Sequence, residues 1–241
     1  MTATEHFKIP ILEPMLPEGI PSGIFLLIEY DPDSVFYNLV LTLAAGALSR
    51  GHSVDLTCLE HDPDMVRRDL EVMGVNVTEL AAGDIPCLKF IDGYSAAIGQ
   101  SSKEKYYYPS MNVSDHSIDV LTAMKSRPEE DKWRGRICFC DNLSVMLRYN
   151  TEKSFIDFHA TRLLPSLRAR RRTHFLPFTR GVHSDLFYKS MESLADGILD
   201  LKLDSSGEEP VNMLRLRSFK RGPHDAKWQK LKVGANFAVS L

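Results

Sequence analysis

Apolar residues fall along the chain in two rhythms that alternate. Gly23–Ile28 is a nearly unbroken apolar run, as expected for a strand buried on both faces. A polar turn, Glu29 to Ser34, leads into Val35/Phe36, Leu39/Val40, Leu43/Ala44 and Ala47, the three-to-four spacing of a helix that Gly51 ends. The alternation repeats: a strand over 54–59, a helix from Pro63 to Met73 closed by Gly74, and a short strand over 88–91. Residues 99–114, with Tyr106 to Tyr108, read as a loop, and a helix is expected from Ser114 to Lys125. A strand over 136–140, a long helix from Phe155 to Arg170, a strand over 174–178 and a helix from Asp185 to Ala195 follow. Beyond Ala195 the helical rhythm stops. Three strands are predicted, 197–203, 211–220 and 232–240, with Leu214 to Arg217 alternating strictly as in a strand with one wet face.

This order predicts an α/β fold with a mainly parallel central sheet flanked by helices, finished by antiparallel strands at the C-terminal end. Pro10, Pro14 and Pro17 make residues 1–18 an N-terminal arm lying over the core, and residues 19–241 read as a single domain. The 241 residues balance 29 basic against 32 acidic groups, so no global charge favours nucleic acid. No apolar run reaches the roughly 20 residues of a membrane span, and the opening residues lack a signal-peptide pattern. The expected location is cytoplasmic, without membrane partners. Cys58, Cys87, Cys138 and Cys140 lack metal-ligand spacing, and three of them lie in runs that read as buried strands or their ends, where cysteine is a small hydrophobe.

Ligands of such sheets bind beyond the carboxyl ends of the strands. A phosphate-cradling GxxxxGK[ST] loop would fall on Tyr30-Asp31-Pro32-Asp33-Ser34-Val35-Phe36-Tyr37, where both glycines, the lysine and the hydroxyl are missing. Without glycine the backbone N–H groups cannot close on phosphates. Asp31 and Asp33 would also repel them, by on the order of 4 kcal/mol per contact near 4 Å at an effective dielectric of about 20.

Several segments, taken in order, resemble the KaiC-like branch of the RecA superfamily. They are Gly19-Ile20-Pro21-Ser22-Gly23, Cys58-Leu59-Glu60, Met73 to Asn76, Phe90-Ile91-Asp92-Gly93-Tyr94-Ser95, Ile137 to Ser144, Leu194 to Leu199 and Lys220-Arg221-Gly222. The resemblance covers residues 19 to 240 and implies a RecA-like fold of the P-loop NTPase superfamily, with a degenerate phosphate loop at Tyr30–Tyr37. It places Asp141 where the family's aspartate orients Mg²⁺ and Glu60 where a glutamate polarises water. Arg221 matches an arginine that reaches the neighbouring subunit's nucleotide. His61 replaces a second family glutamate, and Phe219 falls on a family lysine. The expectation is therefore a pseudo-ATPase with no cofactor. It would be a structural or regulatory subunit of a homo-oligomer, or of a hetero-oligomer with RecA- or KaiC-like paralogues; the resemblance also suggests an archaeal source. Two alternatives stay open. One is an ATPase that binds Mg·ATP unconventionally through Asp141 and Glu60. The other is an RNA- or DNA-binding module using Arg168, Arg170, Arg171 and Arg172, whose bland reading is favourable charge at a helix C-terminus.

Overall fold

The computed structural model describes residues 6–84, 86–115 and 135–241. A nine-stranded sheet runs through it in the order β11-β10-β9-β8-β3-β7-β6-β4-β5. Six neighbouring strands are parallel: β8 (Gly197–Asp204), β3 (Phe25–Tyr30), β7 (Thr173–Thr179), β6 (Ile137–Cys140), β4 (Val54–Cys58) and β5 (Leu88–Asp92). Beyond β8, strands β9 (Val211–Phe219), β10 (Gln229–Val233) and β11 (Val239–Ser240) are antiparallel, as the loss of helical rhythm after Ala195 predicts.

Helices cover both faces. On one lie α1 (Phe36–Ser49) and α2 (Pro63–Val72), which carry the chain from β3 to β4 and from β4 to β5. Asp62 caps α2 by accepting the Asp64 N–H, Pro63 opens it, and Gly74 ends it at φ +89°. The opposite face carries the helices that link β6 to β7 and β7 to β8. The first runs from Glu152 to Ala169 behind a Thr151 cap, and the second (Asp185–Leu194) starts at a Ser184 cap. Between Glu152–Phe158 and Leu164–Ala169 the helix makes one π turn, His159–Leu163. Pro165 has no N–H to give, and a widened turn just before it spares the helix a clash and a lost bond.

The proline-rich arm contributes to the core. Phe7, Ile9, Leu12, Met15 and Ile20 are buried with the α1 face, and Phe7 pairs with Ile20 across a small two-stranded sheet, β1 (His6–Phe7) and β2 (Ile20–Pro21). Gly46 lies in the middle of α1 because Pro10 crosses there: a Cβ would sit 3.1 Å from the proline ring.

Three boundaries differ from expectation. Strand β3 extends through Glu29 and Tyr30, where the buried Glu29 carboxyl group meets Arg217 at 2.9 Å. The strand predicted over 232–240 is a hairpin, β10 and β11, turning at Gly234–Phe237 where Gly234 N–H donates to Ala238 O. The long helix begins at Glu152 rather than Phe155. The helix expected from Ser114 to Lys125 lies almost wholly outside the described residues. Cys58, Cys138 and Cys140 are buried thiols and Cys87 is an exposed one. No helix among the described residues is long and apolar enough to cross a membrane.

Candidate functional site at the carboxyl ends of the strands

Neighbouring strands β4 and β6 send their following helices to opposite faces, which opens a crevice between their carboxyl ends. A cavity of about 460 Å³ lies there, lined by Glu60, Asn142, Ser144, Arg148, Thr179 and His183 among others. Glu60 is exposed and accepts a hydrogen bond from Asn142 Nδ2 at 3.0 Å. Ser144 Oγ accepts the Thr179 N–H at 3.1 Å and lies 2.8 Å from His183 Nε2. Burial pushes the His183 pKa down, against an opposing pull from Glu152.

Asp141, 2% exposed, directly follows β6 and precedes the lining residue Asn142. Its Oδ1 accepts the N–H groups of Leu59 (2.7 Å) and Asn142 (2.8 Å), and its Oδ2 those of Glu60 (3.0 Å) and His61 (2.9 Å). His61 Nδ1 approaches Oδ2 at 3.2 Å. Two carboxylate oxygens offer about four lone-pair sites, so these partners use the acceptor capacity of the group. Burial lowers the His61 pKa, but the Asp141 bond and charge, helped by Glu60 and Asp69, outweigh it and hold the imidazole above its usual value. The ring stacks on Tyr37 at 4.1 Å, and Tyr37 in turn donates to Asp69 at 2.7 Å. Among the described residues no group of three or more His, Cys, Asp or Glu side chains is placed to hold a metal.

The segment Tyr30–Tyr37 is tied down from within. No residue in it adopts a positive φ. The rings of Tyr30 and Phe36 stack at 3.8 Å, and Thr179 Oγ1 donates to the Tyr30 hydroxyl at 2.7 Å. Asp31 O accepts both the N–H (3.0 Å) and the hydroxyl (2.6 Å) of Ser34, while its carboxylate meets Arg180 at 3.3 Å and Leu203 N–H at 3.3 Å. Pro32 and Asp33 are exposed. Val35 N–H, at the start of α1, donates to Asn212 Oδ1 of β9 at 2.9 Å. The backbone donor that opens this helix is therefore occupied by a side chain of the same molecule.

Arg180 also binds Asp200 at 2.5 Å, and Asp200 is shared with Arg215 (2.7 Å) and Arg217 (3.3 Å). Glu29 joins this network through Arg217 and has one buried oxygen, Oε1, without a hydrogen-bond partner. Burial lifts its pKa to about 7 against the pull of Arg217, with Glu192 and Asp200 adding to the rise.

The remaining sequence-marked residues lie elsewhere. Arg221 binds Asp196 of its own chain (2.8 and 2.6 Å), just before β8 begins. That is the amino end of the parallel strands, and the six residues of β3 alone span about 20 Å. The fold thus joins Glu60 to Asp141 but not to Arg221. The arginine run is divided as well. Arg168 and Arg171 are exposed, Arg170 donates to Ser166, and Arg172 is buried against Asp55 at 3.1 Å. Arg172 belongs to the interior, a correction with a clear cause: it is the last residue before β7, where the chain dives into the sheet. The sequence assigns none of Ser144, His183, Arg180 and Asn212 to this crevice, although Ser144 closes the Ile137–Ser144 segment directly after a buried strand.

No family model and no curated protein matches the sequence. Among solved structures, the chain resembles a KaiC-like protein from the hyperthermophilic archaeon Pyrococcus horikoshii OT3, with a TM-score of 0.73, 18% identity and 99% of both chains covered. At that identity the likeness speaks for the fold: the chain has the α/β architecture of a KaiC-like, RecA-type protein.

Proposed function

We propose that the chain is a non-hydrolysing KaiC-like protein, a structural or regulatory subunit of an assembly with itself or with RecA- or KaiC-like paralogues. One observation carries the reading. The segment in the position of a phosphate loop holds its own helix-opening N–H on Asn212 and its own acidic residue on Arg180, with no glycine-type backbone to form a cradle. Asp141 supports the same conclusion, because four backbone N–H groups and His61 occupy the oxygens that a Mg²⁺ ion would need. These residues do not fit a Mg·nucleotide, and no hydrolytic step is drawn through one. Glu60 is then a vestigial carboxylate at a crevice, and Arg221 an internal ion-pair partner.

Titration calorimetry of Mg·ATP into the purified chain at physiological salt tests the reading. The expected result is no detectable heat at high micromolar protein. Light scattering should give a mass above the 27.2 kDa monomer, or a monomer that gains mass only with a partner subunit. Tight Mg·ATP binding would overturn the proposal and return Asp141 and Glu60 to catalytic candidacy.

A further inference from the structure

Beneath the helix that links β6 to β7 lies a second cavity, of about 60 Å³, lined by Arg170, Arg172, His174, Ser166, His159 and Cys138 over an otherwise mostly apolar wall. Next to it two guanidinium groups share one carboxylate. Asp55 Oδ1 takes Arg136 Nε at 2.7 Å, and Asp55 Oδ2 takes an Arg172 terminal nitrogen at 3.1 Å. Arg136 is closed on its other side by the carbonyls of Val54, Pro86 and Cys87. Arg172 is not: it is 4% exposed, and its Nε–H is buried without a hydrogen-bond partner. A buried N–H on a charged group is costly to leave unmet, and native structures nearly always answer it with protein, water or an ion.

We infer that this cavity is a binding site for a small inorganic monoanion of the halide class, held by Arg172 and Arg170. Three observations favour an anion over water alone. The positive groups outnumber the carboxylate that meets them, since Arg170 faces the same space and its one hydrogen-bond partner among the described residues is a serine hydroxyl. Burial first, and then the charge of Arg172, pull the Arg170 pKa down, so the two guanidinium groups lie close enough to repel each other. The mostly apolar remainder of the wall favours a weakly hydrated ion over a strongly hydrated one. The volume sets the size: room for about two to four water-sized bodies, and none for a nucleotide. His159 sets the position. Its Nδ1 faces Phe155 O at 2.8 Å and must be the donor there, and burial drives its pKa down to about 4. The ring is therefore neutral at ordinary pH, and the anion belongs at the guanidinium end of the cavity.

The π turn gives the site its shape. His159 and Leu163, the two ends of that turn, both line the cavity, so the widened helix that accommodates Pro165 also forms the roof.

The test compares thermal unfolding of the full chain in sodium bromide and in sodium gluconate at matched ionic strength. At bromide tenfold above its dissociation constant, binding to the folded state alone raises the midpoint by about 3–5 °C. Arg170→Gln should remove most of that rise without preventing folding, because Arg170 is only partly buried. Crystals soaked in bromide should show an anomalous peak at hydrogen-bond distance from Arg172 Nε. Equal midpoints in the two salts, a rise that survives Arg170→Gln, or an ordered water with no bromide at Arg172 would each overturn the inference. Nucleotide binding is not involved, so this result and the calorimetric one can fail separately.

Discussion

At the carboxyl ends of the parallel strands Asp141 and Asp92 are met by N–H groups and hydroxyls; at the amino ends Asp55 and Asp196 are met chiefly by arginines. All four are nearly inaccessible. Asp141 takes four backbone N–H groups, and Asp92 takes Ser95 N–H, Ser95 Oγ and Ser102 Oγ. Asp55 takes Arg136 and Arg172, and Asp196 takes Arg221 together with one backbone N–H, that of Phe25. The geometry of the connections explains the contrast. Chains leaving a strand for a helix turn sharply and present successive N–H groups, which form an anion nest. At the amino ends the arginines come from different places: Arg172 joins a helix C-terminus to β7, where positive charge is favoured, and Arg221 follows β9. At the carboxyl ends a nest of backbone N–H groups holds an internal carboxylate, whereas at the amino ends the buried acids are held mainly in ion pairs.

The contrast predicts unequal costs. Asp55→Asn leaves two buried guanidinium groups without their charge partner, which costs about 3–5 kcal/mol. Denaturant unfolding should show a large drop in midpoint, and a loss below about 1 kcal/mol would mean that water or an anion already carries the arginine charges. Asp141→Ala removes the acceptor of four N–H groups that lie next to an open crevice and can turn to water. The expected loss is about 2–3 kcal/mol, and Mg²⁺ should not change the midpoint of the unmodified chain. A Mg²⁺-dependent rise abolished by Asp141→Ala would reverse the assignment of Asp141 to structure.

Glu29 lies between these two modes, with one oxygen on Arg217 and the other orphaned. Its pKa is raised by burial from 4.5 to about 7. The folded state therefore holds this proton more tightly than the unfolded chain does. Its contribution to stability is full below about pH 4.5 and is lost as pH rises towards about 7. Glu29→Gln should flatten the pH dependence of unfolding across that window by on the order of 3 kcal/mol. An unchanged slope would show that Glu29 stays ionised in the folded protein, fully matched by Arg217 and Arg180.

The alternating apolar runs made the parallel sheet and its antiparallel finish legible in the sequence, because burial on one or two faces imposes period on side chains. Asp141 and Glu60 were legible as neighbours, each following a buried strand. The charge networks were not. Arg180, at the end of β7, and Arg215 and Arg217 of β9 converge on Asp200, and nothing local in the sequence encodes which carboxylate a guanidinium will meet. Arg172 was read with its exposed neighbours because it stands in a run of arginines; one residue's advance into β7 puts it inside. Asn212, 177 residues from Val35, caps a helix it does not belong to.

That long-range cap gives the smallest expected effect and the sharpest view of the Tyr30–Tyr37 segment. Asn212→Ala frees the Val35 N–H to water at a half-buried position, for a loss of about 1 kcal/mol. Asp31, Asp33 and the stacked Tyr30 and Phe36 stay in place, so the variant should remain silent in calorimetry with Mg·ATP. Heat on titration would assign the obstruction to the asparagine alone and make the two ends of the sheet differ by a single side chain. Silence assigns it to the whole segment. In that case no one substitution opens the segment to a phosphate, because acidic repulsion and a glycine-free backbone each suffice to keep one out.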